Sequence, residues 1–201
     1  MTPRSIVSAT ANPAKLAEMT AILGDAVDLV ARPVDVPEIV EDAPDLVGNA
    51  LLKATAIRDA TGRAALADDT GLEVDALGGE PGVRSARFAG PDATDADNVA
   101  LLLERLAGSD DRSARFHTVM CLAEPGAEPR YAHGVCQGSI TTAPRGANGF
   151  GYDPVFVPDG GDGRTFAEMT GAEKHAISHR GQALREMARL LDRAPLTGSS
   201  D

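Results

Sequence analysis

Hydrophobic positions in the first half of the chain alternate between short apolar runs and stretches with helical spacing. Three short runs predict buried strands: residues 5–10, 28–34 and 64–67. Two intervening stretches, in which apolar residues recur every three or four positions, predict helices: residues 13–23 and 45–61. Asn12 followed by Pro13 is typical of a helix start. Gly48 lowers helix propensity by about 1 kcal/mol relative to alanine, which leaves the start of the second helix open.

The second half predicts two adjacent strands between helical segments. Thr94 to Asp97 forms a capping-box pattern before a helix that carries Val99 to Leu106. Further elements follow: strands at 116–122 and 131–140, an apolar stretch at 155–157, and a helical region from Thr170 to Leu191. Two neighbouring strands form a hairpin, so the pattern predicts an α/β domain with a mixed sheet. We expect one domain over residues 1–194 and a disordered tail over 195–201.

Charge and composition restrict the kind of partner. The chain has 201 residues and a net charge of −11, and no basic run argues for binding to polymeric nucleic acid. No apolar run approaches membrane-spanning length, and no signal peptide is evident. Cys121 and Cys136 lie in apolar stretches and are typical of reduced, buried thiols. We therefore expect a cytoplasmic protein with no membrane partner.

Lysine is rare in this chain. Of 19 basic residues, all but Lys15, Lys53 and Lys174 are arginine. Because a compact ammonium group suits phosphate binding, these three lysines become candidates for a functional site.

The turn from Thr10 to Lys15 is the first candidate site. It joins a predicted strand to a predicted helix, and the amides and dipole at a helix start favour an anion. Lys15 near the third helical position opposes that dipole, which a negative ligand would explain. The alternative is that Asn12 only caps the helix and Lys15 only faces solvent.

Asp68 and Asp69 form the second candidate site, at the predicted end of a strand. Carboxylates there can hold Mg²⁺ or activate a water molecule. Adjacent strand residues point to opposite faces, so only one is expected to face a given site. Glu38, Glu41 and Asp42 form a second acidic cluster, which taken alone is typical of a solvated surface.

Two further segments carry polar or aromatic side chains in loop contexts. Residues 149–154 place Phe150 and Tyr152 among glycines, which suits stacking on a base but equally suits a loop anchored in the core. Lys174 and residues 178–180 offer donors that could read the edge of a base. The sequence contains no P-loop, no G-x-S-x-G elbow and no H-E-x-x-H zinc motif.

The order of these segments resembles the inosine/xanthosine triphosphate pyrophosphatase family from about residue 5 to residue 191. Six motifs carry the resemblance: Thr10-x-Asn12-x-x-Lys15, Asn49-Ala-x-x-Lys53-Ala, Asp68-Asp69-Thr70-Gly71-Leu72, Gly79-x-Pro-Gly-x-x-Ser85-Ala-Arg87, Phe150-Gly-Tyr-Asp153-Pro, and Glu173-Lys174 with Ser178-His-Arg180.

The resemblance implies a long mixed sheet flanked by helices, two lobes with a central cleft, and a homodimer. It implies hydrolysis of XTP, ITP and dITP to the monophosphate and pyrophosphate, with Mg²⁺ as cofactor. Asp69 and Lys15 would be catalytic, and Asp69 and Glu41 would hold the metal. The residues that it implies for substrate binding are Thr10, Ala11, Asn12, Lys15, Lys53, Thr70, Phe150, Gly151, Tyr152, Asp153, Lys174, Ser178, His179 and Arg180.

The chain departs from the family pattern at several positions. Ala11 replaces a usual glycine, which would strain the turn if a positive φ were required there. Gly48 replaces a usual glutamate, residues 45–47 lack a Thr-Phe pair, and Glu38 competes with Glu41 as the second metal-side carboxylate. Two other functions stay open from the sequence: hydrolysis of a pyrimidine or other modified nucleotide, and nucleotide sensing without catalysis.

Overall fold

The computed structural model describes residues 4–24, 27–37 and 39–192. The strands within these ranges are β1 (Arg4–Ser8), β2 (Val27–Val30), β3 (Ala65–Val74), β4 (Pro81–Gly82), β5 (Ser113–Ala123), β6 (Arg130–Ile140) and β7 (Phe156–Pro158). The helices are α1 (Pro13–Leu23), α2 (Leu46–Thr61), α3 (Asp95–Arg105), α4 (Gly171–Ile177) and α5 (His179–Asp192). None of these helices combines the length and the apolar character needed to cross a membrane.

The strands form one mixed sheet, as predicted. Its order is β2-β1-β3-β5-β6-β7, with β4 paired to β3. β1 runs parallel to both β2 and β3, whereas β3, β5, β6 and β7 pair antiparallel. The β5–β6 hairpin confirms the pair of strands expected in the second half. The α/β class and the long mixed sheet are therefore confirmed.

The local signals for helix starts agree with the structure. Asn12 caps α1, and its side chain accepts hydrogen bonds from Ala14 N and Lys15 N. Asp45 caps α2, so Gly48 lies in the first turn rather than the interior. Thr94 and Asp97 form the expected capping box of α3.

The prediction for the strand before Asp68 and Asp69 was wrong in its length. β3 continues through both aspartates to Val74, because it pairs with β5 in unbroken register from Ala65 to Val74. Within β3, only Ala65 and Leu66 pair with β1. The two aspartates thus lie within β3, just beyond the place where its pairing with β1 ends.

Other expectations also differ in their bounds. β2 ends at Val30, before Pro33, instead of reaching Val34. The last helical region is two helices, because Ser178 is extended between α4 and α5. The tail at 195–201 lies outside the described residues, and the single-domain and two-lobe expectations stay predictions.

Helices cover the two faces of the sheet differently. Apolar residues of α2 pack on one face, against Val7, Ala65 and Val119. On the opposite face α1 and α5 pack against Leu66 and Met120. A separate cluster on that same face surrounds the far ends of β3, β5 and β6.

Candidate functional site

A polar band crosses the sheet between the two hydrophobic clusters on the α1/α5 face. Along β3, Asp68 and Thr70 separate Leu66 of one cluster from Leu72 of the other. On β5, Thr118 lies directly opposite Thr70, and the two hydroxyl oxygens are 2.7 Å apart. Since a buried polar band costs free energy unless it is paired, this interruption of the core marks the site.

Gly134 continues the band on β6 and lets α5 approach the sheet. A Cβ atom at this position would lie 2.0 Å from His179 O and 2.7 Å from Ala183 N. The absence of a side chain therefore brings the start of α5 directly over the band. His179 and Arg180, the first residues of α5, are both buried there.

Asp68 is held by two cations on this face. Lys15 Nζ lies 3.1 Å from Asp68 Oδ2, and Arg180 Nη2 lies 3.2 Å from the same oxygen. Burial alone would raise the pKa of Asp68, but Lys15 and then Arg180 outweigh it and hold that pKa far below the usual aspartate range. Asp68 is therefore ionised throughout the physiological pH range.

Glu18 ties the lysine and arginine of the last two helices to α1. Its carboxylate lies 2.9 Å from Lys174 Nζ and 2.6 Å from Arg180 Nη1. The sequence analysis missed this residue. A signal was available, because Glu18 follows Lys15 by three positions on a helix and must share its face.

Asp69 points to the opposite face of the sheet, toward α2. Lys53 Nζ lies 2.6 Å from Asp69 Oδ1 and 3.2 Å from Glu41 Oε2. Burial raises the pKa of Asp69; Lys53 opposes this shift and the nearby charge of Glu41 adds to it. Burial would lower the pKa of Lys53, but Asp69, Asp68 and Glu41 together raise it, so the ammonium stays charged.

The segment that carries Glu41 is fixed by contacts to α2 and to a loop. Ala43 N donates to Asn49 Oδ1 at 3.0 Å, and Arg87 donates to Glu41 O at 2.7 Å. A Cβ atom on Gly48 would lie 2.6 Å from the Ala43 side chain. Gly48, which departs from the family pattern, therefore lies where the segment carrying Glu41 comes close to α2. Glu38, the competing carboxylate, lies outside the described residues.

Asp69 and Glu41 offer a partial set of metal ligands. Their two carboxylates flank one ammonium, and their mutual repulsion contributes to the raised pKa of Asp69. No group of three or more histidine, cysteine or carboxylate ligands occurs within the described ranges. Mg²⁺ suits such a set, since it usually takes one or two carboxylates and completes its coordination with water and phosphate oxygens.

A cavity of about 810 Å³ lies over the turn from Thr10 to Lys15. Lys53, Glu41 and Asp68 also line it, so it joins the two carboxylate sites. Two amides expected to be free are not, because Ala14 N and Lys15 N donate to the capping side chain of Asn12. In the described part of the chain no residue other than glycine has a positive φ, so Ala11 is accommodated without that strain.

A smaller cavity, of about 140 Å³, adjoins the first through Asn12 and Lys15. Phe150 is half-buried in its lining, and Gly151 N donates to Asp95 Oδ2 at 2.7 Å. Tyr152 also reaches this lining but is anchored in the core, where its hydroxyl donates to Ser85 O. Of the two aromatic residues of this loop, Phe150 is therefore the one available for stacking.

Asp153 and Ser178 have structural roles beside this smaller cavity. Asp153 Oδ2 accepts from Phe150 N at 2.9 Å and from Lys174 Nζ at 2.6 Å, which fixes the loop and the lysine together. Ser178 does not line the cavity; its Oγ accepts from Gly181 N, in the first turn of α5.

Lys174, His179 and Arg180 converge on the smaller cavity. Burial, and then the charges of Arg180 and Lys174, lower the pKa of His179 well below its usual value, so its ring is neutral. Three buried atoms around this point have no hydrogen-bond partner among the described residues: Asp68 Oδ1, His179 Nδ1 and Arg180 Nε. A buried polar atom without a hydrogen-bond partner costs free energy unless a water molecule or a ligand supplies that partner. A group of such atoms is typical of a ligand site.

Known proteins resemble this chain over nearly its whole length. The sequence model of the Ham1 family matches residues 6–190. A protein named dITP/XTP pyrophosphatase from Exiguobacterium sp. is 47% identical over 185 residues, covering 90% of this chain and 94% of the relative. One of the same name from Aromatoleum aromaticum is 48% identical, covering 98% and 100%. The structure of a HAM1 protein from Coxiella burnetii superposes with a TM-score of 0.86 at 45% identity, covering 95% of this chain and 100% of that one. The chain belongs to the Ham1 family.

Proposed function

We propose that this protein hydrolyses the non-canonical purine nucleoside triphosphates XTP, ITP and dITP to the monophosphate and pyrophosphate. One observation carries the proposal: a cavity lined by lysines and carboxylates opens into a smaller cavity that presents an aromatic ring and convergent cationic donors. The first suits a triphosphate and a metal ion, and the second suits a flat base. Relatives named dITP/XTP pyrophosphatase support the same substrate class.

The triphosphate is held by the larger cavity. Lys15 and Lys53 line it, and each ammonium has three N–H donors, of which the neighbouring carboxylates use only part. Thr10, Ala11 and Asn12 form its floor at the start of α1, where the helix dipole favours an anion.

Mg²⁺ is the cofactor that the carboxylates fit best. Asp69 and Glu41 would hold the ion, which supplies positive charge to the phosphates and to the departing pyrophosphate. Without the ion, the carboxylates largely neutralise the lysines. The ion would therefore supply the positive charge that balances the phosphates.

Asp69 acts as the general base in this proposal. In the metal-free protein the pKa of Asp69 is raised by burial, which makes it a better proton acceptor than an ordinary aspartate. It removes a proton from the attacking water, the water oxygen bonds to phosphorus, and the bond between the α- and β-phosphates breaks. Lys53, 2.6 Å from Asp69, holds that carboxylate in place.

Base selection follows from the donors in the smaller cavity. Lys174 uses two of its three N–H groups on Glu18 and Asp153, and Arg180 Nε is unpaired among the described residues. Donors at this point favour the 6-keto oxygen of hypoxanthine or xanthine. The 6-amino group of ATP presents donors of its own, which leaves both sides unpaired. Phe150 would stack on the ring.

The proposal includes a homodimer and a cytoplasmic location. Both come from the family resemblance and from the role itself, since an enzyme that removes abnormal nucleotides must meet the free nucleotide pool.

A substrate panel tests the proposed function. Purified protein is incubated with Mg²⁺ and, separately, XTP, ITP, dITP, GTP, ATP or dTTP, and pyrophosphate and orthophosphate are measured independently. We expect pyrophosphate from XTP, ITP and dITP, with little product from ATP or GTP. Orthophosphate as the first product would contradict cleavage between the α- and β-phosphates. A preference for dTTP would indicate a pyrimidine enzyme, and tight binding of XTP without any product would indicate a sensor.

A further inference from the structure

Two histidines lie together on the same sheet face as α2, beyond the part of that face that α2 covers. His117 on β5 pairs with Val135 on β6, and His133 on β6 pairs with Val119 on β5. Both side chains therefore point to the same face, and the two residues belong to pairs that lie two residues apart along the hairpin. His117 is half-buried and His133 is exposed.

The two imidazole rings present nitrogen atoms to each other. His117 Nε2 and His133 Nδ1 are 3.2 Å apart, and the ring planes are inclined by 30°. Two nitrogen ligands of one tetrahedral metal ion lie about 3.3 Å apart, given metal–nitrogen bonds of about 2.0–2.1 Å. The pair thus already has the separation that chelation requires. Moving the shared proton to the outer nitrogen of its ring leaves a lone pair on each of the two facing nitrogens, and rotation of the rings about their side-chain bonds turns both toward one ion.

The charged neighbours leave this pair available. Glu73 lies 2.5 Å from Arg115 in an ion pair, and Arg115 also binds Asp75. Burial, followed by the charge of His133, lowers the pKa of His117, while Glu73 raises it and Arg115 lowers it. The neutral form of His117, which is the form that binds metals, is therefore favoured at neutral pH.

The pair is separate from the proposed catalytic site. His117 lines a cavity of about 490 Å³ with Val47 and Val83, and this cavity shares no lining residue with the two cavities of the nucleotide site. Its ligands are imidazoles, whereas the Asp69 site offers carboxylates. Imidazole favours Zn²⁺, Ni²⁺ and Cu²⁺, and Mg²⁺ favours oxygen.

We propose that His117 and His133 form a second metal site, which takes one borderline transition-metal ion such as Zn²⁺, Ni²⁺ or Cu²⁺ per chain. Within the described ranges no third histidine, cysteine or carboxylate completes the cluster, so water fills the remaining positions. By the usual order of affinities, Cu²⁺ binds tightest. This inference does not depend on the proposed nucleotide hydrolysis.

Calorimetric titration with Zn²⁺ tests the site in tag-free protein that is first stripped of metal and then saturated with Mg²⁺. We expect one Zn²⁺ per chain in the wild type. His117→Gln and His133→Gln should each weaken binding by at least about tenfold, since each removes one of two protein ligands. His175→Gln, at the other partly exposed histidine of the described residues, is the matched control and should bind like the wild type. Urea unfolding midpoints establish that the variants fold.

Electron paramagnetic resonance of the Cu²⁺-loaded protein gives an independent readout. The spectrum should show hyperfine coupling to two imidazole nitrogens in the wild type, and to fewer in either variant. The proposal is overturned if both variants bind Zn²⁺ as tightly as the wild type. It is also overturned if Asp69→Asn, rather than the histidine variants, removes binding, since the ion would then occupy the carboxylate site.

Discussion

Asp68 and Asp69 are adjacent in the chain, yet their side chains lie on opposite faces of the sheet in different electrostatic surroundings. Asp68 meets Lys15 and Arg180, which keep its pKa low. Asp69 meets one lysine and one carboxylate, and burial keeps its pKa high. A residue pair that looks like one acidic motif in the sequence therefore divides into one carboxylate with a lowered pKa and one with a raised pKa.

The raised pKa of Asp69 can be observed directly. In metal-free protein, ¹³C NMR should show the Asp69 carboxyl titrating above the ordinary aspartate value of about 3.9. Glu41→Gln removes a neighbouring negative charge and should lower the Asp69 pKa. Asp42→Asn, which removes an exposed carboxylate next to Glu41, is the control and should change it little. An Asp69 pKa that does not respond to Glu41→Gln would contradict the electrostatic coupling.

The depressed pKa of Asp68 predicts a pH-dependent contribution to stability. A carboxylate whose pKa is lower in the folded state stabilises the fold above its unfolded pKa, and the contribution is lost as pH falls toward the folded pKa. Asp68→Asn should lower the free energy of unfolding by about 3 kcal/mol at pH 7, because it leaves the buried Arg180 and the half-buried Lys15 without that charge. The difference from the wild type should shrink below about pH 4.

Urea unfolding at several pH values measures this difference. Asp59→Asn is the matched control, because its ion pair with Arg58 is largely exposed and worth little. A loss of stability at Asp68→Asn that stayed constant down to pH 2 would show that packing, rather than charge, explains it.

At the scale of secondary-structure elements, the site depends on where a strand ends and on a position without a side chain. β1 stops before Asp68, and Gly134 leaves room on β6 for the start of α5. Cap residues predicted the starts of α1 and α3, because capping is a local interaction. The sequence leaves open the start of α2, which Asp45 caps. The extension of β3 through Asp68 and Asp69 could not be predicted in the same way, since it depends on pairing with a strand about fifty positions away.

The site residues show the same division between local and tertiary information. The three lysines that the sequence singled out, Lys15, Lys53 and Lys174, all line the two cavities. Glu18 could have been found from its helical spacing to Lys15. The structural placement of Ser178 and the core anchoring of Tyr152 depend on tertiary contacts, and a loop sequence carries no signal for them.

Gly134→Ala tests the contact between α5 and the sheet. The new Cβ atom would lie 2.0 Å from a backbone oxygen, so α5 must shift and carry His179 and Arg180 away from the cavity. We expect kcat/KM to fall by about 100-fold or more, since displacement of positioning groups by about 1 Å is that costly. Gly160→Ala, where a Cβ meets nothing within 4 Å, is the control and should retain activity. Equal activity in both variants would contradict the role of this contact.

At the scale of the whole molecule, the homodimer stays a prediction from the family resemblance. Sedimentation equilibrium at micromolar concentration should give twice the chain mass of 20.8 kDa. If two identical subunits associate only when folded, the unfolding temperature should also rise with protein concentration. A mass of one chain at all concentrations would contradict the dimer.

The whole-molecule charge fits a small anionic substrate only because cations are concentrated in one place. The net charge is −11, yet Lys15, Lys53, Lys174 and Arg180 all line the two joined cavities. Carboxylates pair with all four cations, so Mg²⁺ bound at Asp69 and Glu41 would supply the excess positive charge that a triphosphate needs.

The most direct test of the account is the rate of pyrophosphate release from XTP by wild-type protein and by Asp69→Asn, with Mg²⁺ present. Binding of XTP and the unfolding midpoint are measured on the same samples. We expect turnover by the wild type, and loss of nearly all turnover in Asp69→Asn with folding and nucleotide binding retained. Near wild-type release of pyrophosphate by folded Asp69→Asn would contradict the assignment of Asp69 as the base.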